Sequence, residues 1–304
     1  MLKILMDKLR NKSSEQLFVI DEEGKLLEYL GTEEIVSVPE GVRSIGRKAF
    51  PNRSIVNVTL PNSVECIDEN AFASCDKLVE INLENVKVIN RQAFAGCENL
   101  SNIKLSDNVN IIGNPFRGCN SLSNKDGMLI IKNVLYSYCG NDGKIVIPNE
   151  VYRISEAVFD FYNNIKYIEI PQSVKYIESS AFAGCENLIE VFIKDGNGIT
   201  FEDRIFSCCI NLEKIVLPKG CSIISESMFA FCEKLKTIDI PTTVSKIEKD
   251  AFTGCDNLKI IIPESVVSIN SNAFSYCKKL TICGKIGSTA EKYAVSKKKT
   301  FEPI

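Results

Sequence analysis

The sequence predicts an α/β repeat solenoid: a curved, right-handed superhelix of about ten coils, with short parallel strands on its concave face, one inserted hairpin and a cap at each end. Three observations carry this. An octet, Ala181-Phe182-Ala183-Gly184-Cys185-Glu186-Asn187-Leu188, recurs in varied copies from Phe50 to Phe274. Its phenylalanines (50, 72, 94, 116, 159, 182, 206, 229, 252, 274) are spaced by 22 to 24 residues, except for one interval of 43. Each octet runs into an alternating stretch, such as Leu78-Val79-Glu80-Ile81-Asn82-Leu83, whose period of two marks a short strand with one buried face. No unit of this size buries both its faces alone, whereas stacked units share one core.

Taken in order, residues 1–17 read as an amphipathic helix, with Leu2, Leu5, Met6 and Leu9 on one side. Residues 18–304 read as a single solenoid. It opens with a hairpin, Phe18-Val19-Ile20 against Leu26-Leu27-Glu28-Tyr29, turning through Gly24, and the first repeats follow to residue 127. A second hairpin, with Leu129-Ile130-Ile131 and Val134-Leu135-Tyr136, interrupts the array and starts repeats 128–284. A period near 23 falls in the range of about 20–29 for leucine-rich repeats. Within a coil, Phe, Cys and Leu at phases 0, +3 and +6 sit on one side of a tight, partly helical turn. The strand then exits at a proline such as Pro61, Pro171 or Pro241, which has no N–H for a ladder. A second extended piece, as in Ser173-Val174-Lys175-Tyr176-Ile177, forms the opposite wall. Residues 285–304 read as a capping helix with Ser288 as N-cap and Glu291 three positions on.

Composition bounds the function. The chain is 45% hydrophobic and 25% charged, as a folded protein is, with net charge −3, which argues against nucleic acid as partner. Lys297, Lys298 and Lys299, the densest basic run, read as a solvated tail. Leu2 to Leu9 are interrupted by Lys3, Asp7 and Lys8, so no secretory segment is legible, and no run approaches a membrane span. A cytoplasmic monomer is expected, with the cell surface as the alternative. Thirteen cysteines suggest disulfides at first. Eight of them (75, 97, 119, 185, 209, 232, 255, 277) stand three residues after a repeat Phe, the phase of a core ladder, and are expected as reduced, buried thiols.

The chain has no histidine, which removes the commonest general base and the usual zinc ligand. No catalytic residue, cofactor or metal site is assigned. Cys208 beside Cys209 is the one candidate for a reactive cysteine enzyme, against the simpler reading of a surface thiol next to a core one. Glu22-Glu23 and Glu33-Glu34 read as solvated turn carboxylates. Outward strand positions are more informative. They are polar in the first half (Asn57, Thr59, Glu80, Asn82, Asn102, Lys104), but the second half offers Tyr167, Phe192, Val216 and Ile261 among charges. Tyr167, Glu169, Phe192, Lys194, Val216, Asp239 and Ile261 are therefore the expected partner-binding set. A second row, Phe161, Phe231 and Tyr276, lies two residues after the repeat Phe.

The units Ala71-Phe72-Ala73-Ser74-Cys75-Asp76-Lys77-Leu78, Ala93-Phe94-Ala95-Gly96-Cys97-Glu98-Asn99-Leu100 and Ala251-Phe252-Thr253-Gly254-Cys255-Asp256-Asn257-Leu258 resemble the bacterial BspA-like leucine-rich repeat family. So do the strand exits Leu60-Pro61-Asn62-Ser63-Val64 and Ile170-Pro171-Gln172-Ser173-Val174 and the closing Gly287-Ser288-Thr289-Ala290-Glu291-Lys292-Tyr293-Ala294. The resemblance covers residues 18–304. It implies a curved solenoid used for protein–protein interaction, often in host-associated bacteria, with many members acting as surface adhesins and no common catalytic site. The expected function is a non-catalytic protein-binding scaffold acting through its concave sheet face. A surface or secreted adhesin binding host or matrix proteins is the alternative.

Overall fold

Each coil is built outward from its phenylalanine. In the computed structural model, which describes residues 17–51, 53–195 and 198–304, the rings of Phe50, Phe72, Phe94 and Phe116 stack at centroid separations of 4.5 to 5.6 Å. Those from Phe159 to Phe274 do so at 5.0 to 5.7 Å. Each such pair adds about 0.5–1.5 kcal/mol beyond the area it buries. Tyrosines end the stacks: Tyr29 and Tyr136 flank the first, and Tyr293 closes the second edge-on to Phe274 at 5.5 Å. The predicted amphipathic helix at 1–17 lies, apart from Leu17, outside the described residues.

The cysteine at phase +3 is held by a specific bond. Cys97 Sγ donates to the Phe72 carbonyl one coil back, at 3.2 Å. The same bond recurs at Cys75, Cys119, Cys185, Cys209, Cys232, Cys255 and Cys277 over 3.0 to 3.6 Å. In six of these eight coils the carbonyl also accepts the N–H of its own coil's cysteine, as Phe72 does from Cys75 at 3.1 Å, and at Phe159 it accepts the Tyr162 N–H instead. The lone pair left over from the backbone bond is thus used by a side chain small enough to be wholly buried there. All eight thiols are free.

The turn around the phenylalanine is not helical, and the α part of the predicted α/β class shrinks accordingly. Residues two before the Phe adopt left-handed backbone, as at Asn70 (φ 58°), Ala157 (53°), Ser180 (58°) and Arg204 (60°). Residues two after it do so again, as at Ser74 (63°) and Cys208 (61°). Two left-handed residues in five break a right-handed helix, at a cost of roughly 1 kcal/mol or more for each non-glycine. Coil-to-coil bonds hold them there: Phe182 N–H donates to the Ile205 carbonyl at 3.0 Å and Gly184 N–H to the Ser207 carbonyl at 2.7 Å. Among the described residues, α-helix is confined to Thr289–Ser296.

The rest of each coil is two strands on opposite walls. Front strands alternate in and out, with Ile81, Ile168, Val191 and Ile215 buried, and pair in parallel in exact one-coil register, as Glu190↔Lys214 and Val191↔Ile215. Back-wall strands are two residues long, as at Val88–Ile89 and Tyr176–Ile177, and also pair in parallel. The chain is a β-solenoid of stacked parallel-strand coils. By internal packing it divides into two compact units, one of residues up to 129 with 136–139, the other of 130–135 with 140–304. In the first unit, Phe18–Ile20 pairs antiparallel with Lys25–Tyr29, which pairs in parallel with the first back-wall strand, Ser44–Ile45. In the second unit both walls are interrupted. The front wall stops after Lys214–Val216 and resumes at Thr237–Asp239. The back wall stops after Thr200–Phe201 and resumes at Ile223–Ile224. The phenylalanine turns stay bonded across both gaps, with Phe206 N–H on the Met228 carbonyl at 2.9 Å.

The C-terminal segment differs from the single helix expected over 285–304. Ser288 Oγ accepts the Glu291 N–H, and Glu291 Oε2 accepts the Gly287 N–H at 2.6 Å, so the helix starts where the capping pair predicts. It ends at Ser296, and the chain returns as a strand, Thr300–Pro303, parallel to Thr281–Gly284. The lysine run therefore is not a solvated tail. Lys298 turns the chain in left-handed backbone, and Lys299 Nζ donates to the Cys277 carbonyl at 2.8 Å.

Candidate functional site

The outward positions of the second unit's front wall fall into two columns, fixed by strand register. One contains Lys144, Tyr167, Glu190 and Lys214, the other Val146, Glu169, Phe192 and Val216. Beyond the gap the columns continue as Thr237 and Lys259, and as Asp239 and Ile261. Five of the seven predicted residues, Tyr167, Glu169, Phe192, Lys194 and Val216, thus belong to one sheet or its strand end. Asp239 and Ile261 belong to the next sheet. Tyr167, Phe192, Val216 and Ile261 are each 42–47% exposed.

Two charge pairs close between the coils of this sheet. Lys194 Nζ lies 2.8 Å from Glu169 Oε1, and Lys214 Nζ 2.6 Å from Glu190 Oε1. The hydrogen bond from Lys194, then its charge, holds the Glu169 carboxyl below its ordinary value. Lys144 and Asp239 stay exposed beside the apolar side chains. A hollow of about 270 Å³ opens between the Tyr167 and Phe192 side chains, rimmed by Lys144, Glu169 and Glu190.

Sequence reading missed Val146, which is exposed and heads the column containing Phe192. Its position two residues before Pro148, like Val216 before Pro218, was the available signal. Ile35 was missed in the same way and breaks the otherwise polar outward face of the first unit. The back wall carries a cluster that periodicity does not announce: Tyr152 lies edge-on to Tyr176 at 5.4 Å, with the Arg153 guanidinium 5.5 Å from the Tyr176 ring centre. The back-wall gap opens a second hollow, of about 330 Å³, lined by Thr200, Phe201, Asp203, Ile223, Glu226 and Glu248.

The other candidates resolve as follows. Cys208 is exposed, with the Ser207 hydroxyl 3.8 Å from its sulfur, while Cys209 is a ladder thiol. Glu33 is not simply solvated: it accepts the Tyr29 hydroxyl, which lowers its pKa. No group of three or more His, Cys, Asp or Glu suited to a metal ion occurs among the described residues. No helix among them is long and apolar enough to cross a membrane.

A family model described as the BspA type leucine rich repeat region matches in six copies, over residues 29–127, 129–259 and 249–291. No curated protein matches the chain. Among solved structures, a leucine-rich repeat protein from Bacteroides ovatus is 25% identical over 94% of this chain and 97% of its own, with a TM-score of 0.49. A leucine rich cell surface protein from Faecalibacterium prausnitzii is 22% identical over 91% and 95%, with a TM-score of 0.42. The pneumococcal vaccine antigen PcpA is 17% identical over 94% and 82%, with a TM-score of 0.50, a likeness of fold. The matched copies run through the Phe–Cys–Leu coils described above, and the chain belongs to the BspA-type leucine-rich repeat family.

Proposed function

We propose that the protein is a non-catalytic scaffold that binds a protein partner through the concave front-wall face of a right-handed solenoid, at Tyr167, Glu169, Phe192, Lys194, Val216, Asp239 and Ile261. The observation that carries this is the column Val146, Glu169, Phe192, Val216, in which exposed apolar side chains recur on a preformed sheet while Glu169 and the neighbouring Glu190 are already paired with lysines. A rigid face of this kind loses little ordering entropy on binding. Exposed aromatic and aliphatic side chains around a hollow are what a partner's anchor residues fill.

Pull-down with the intact protein from a lysate, read by mass spectrometry, gives the test. The Phe192→Ser/Ile261→Ser variant should lose the captured partner while keeping its unfolding midpoint within a few degrees. Undiminished capture by the variant sinks the assignment.

The same reading puts the protein in the cytoplasm, with the cell surface as the alternative. The eight unpaired ladder thiols support a reducing compartment, where such thiols persist. Fractionation of cells making the protein checks it, and recovery with the cell envelope or the medium refutes it.

A further inference from the structure

Two residues beyond each repeat phenylalanine the turn reaches its second left-handed position, and in the second unit this phase forms a continuous ridge. Its amides bond coil to coil: Phe161 N–H to the Ala183 carbonyl at 2.8 Å, Cys208 to Ala230 at 2.8 Å, and Gly254 to Ser275 at 2.9 Å. Gly184 and Gly254 hold this phase without strain. Phe161, Phe231 and Tyr276 hold it at φ values of 57°, 60° and 60°, a backbone region that bulky side chains avoid. Phe161 and Tyr276 gain little burial in return, being 69% and 80% exposed, and Phe231 is about half buried, at 45% exposed. Two of the rings lie across a glycine of the next coil, since a Cβ on Gly184 would sit 2.6 Å from Phe161 Cδ1, and one on Gly254 2.6 Å from Phe231 Cδ1. The chain keeps strained, solvent-facing aromatics where glycine serves the same turn in neighbouring coils.

The surroundings point to the ligand's chemistry. The rings are separated along the ridge by Gly184, Cys208 and Gly254, so they form no contiguous apolar core of the kind a protein interface has. Exposed oxygen acceptors follow this phase by two or three residues at Glu186, Asn187 and Glu233, while after Tyr276 the corresponding Lys278 is paired with Asp256. The Asn187 amide donates one N–H to the Asn163 carbonyl at 2.8 Å, which fixes the side chain and leaves its oxygen as an acceptor. Isolated rings beside oxygen acceptors suit a polyhydroxylated chain, whose C–H faces stack on the rings while its hydroxyls donate. Phe161 and Phe231 are three coils apart, about 14 Å, and Phe231 and Tyr276 two coils, about 10 Å, at the strand spacing. An extended β-1,4-linked glycan advances by close to one such spacing per sugar. We propose that the ridge of Phe161, Phe231 and Tyr276 binds an extended β-1,4-linked glycan laid along the coil-stacking direction of the second unit, a site separate from the front-wall face.

The test is calorimetric titration of the intact protein with cellohexaose, xylohexaose, mannohexaose and chitohexaose, and with α-linked, curling maltoheptaose as comparison. At least one β-1,4 hexasaccharide should bind and maltoheptaose should not. The Phe161→Gly/Phe231→Gly/Tyr276→Gly variant should bind at least tenfold more weakly with its unfolding midpoint retained, because glycine already occupies this phase elsewhere. Phe192→Ser/Ile261→Ser should bind the sugar as the parent does. Failure of all four hexasaccharides, equal binding of maltoheptaose, or unchanged affinity in the glycine variant overturns the proposal. A marked loss of thermal stability in that variant also overturns it, by assigning the rings to packing.

Discussion

Raising the pH from 8 to about 10 is expected to unfold the protein under reducing conditions. Burial pushes the Cys75, Cys119 and Cys185 thiols up to about 12 and Cys277 to about 11, from an ordinary 9.0. Burial also drives Cys97, Cys209, Cys232 and Cys255 upward. A raised folded pKa means that above pH 9 the unfolded chain releases protons that the native state retains. The stabilisation is therefore complete below pH 9 and is lost as the pH climbs toward the folded values. Each thiol contributes a slope of about 1.4 kcal/mol per pH unit. At pH 10 the five ladder thiols of the second unit together cost about 7 kcal/mol, comparable to the whole stability of a typical domain. Urea denaturation followed by circular dichroism from pH 7 to 10.5 measures this. The Cys185→Ala/Cys209→Ala variant should show a shallower dependence, by about two protons. A midpoint that holds steady from pH 8 to 10 rules out the buried-thiol ladder.

Phe182→Ala should cost about 3–5 kcal/mol. The ring is fully buried and stacks on Phe159 at 5.0 Å and on Phe206 at 5.5 Å, so truncation removes its burial, opens a cavity and breaks two stacks at once. For a unit of this size that lowers the melting temperature by on the order of 10 °C. Neighbouring coils cannot collapse into the gap, because the turn bonds on either side fix their spacing. A loss below about 1 kcal/mol by chemical denaturation contradicts the core assignment.

The buried ladder was legible because its residues recur at fixed phases whatever their neighbours do: Phe182 has a counterpart in ten copies, and Cys185 and Leu188 in eight each. The left-handed turn positions were not. Ala157 and Arg204 carry no turn signature, and their backbone is held by carbonyls of the next coil, Ser179 and Glu226, which accept their amides from 22 residues away. The closing strand Thr300–Pro303 was hidden for a related reason, since its partner lies about 20 residues earlier and a lysine run precedes it. In the candidate site, the apolar outward residues could be read strand by strand. Whether Ile261 shares a sheet with Phe192 could not, because Lys214–Val216 and Thr237–Asp239 alternate alike, and nothing in either marks the interruption between them.

The doubly used phenylalanine carbonyl has a consequence for how such a chain can grow. Every thiol on it comes from 25 to 27 residues downstream, and the group it meets is the same in each coil. Removing or duplicating one whole coil leaves each thiol facing an identical acceptor, and one or two extra residues outside the octet do so too, since the separation already varies from 25 to 27, whereas a residue inserted between the Phe and its Cys turns the thiol away. Gene duplication in steps of a full period is thus tolerated where small insertions within the octet are not, so the length of the array can vary by coils while the chemistry of its interior stays the same.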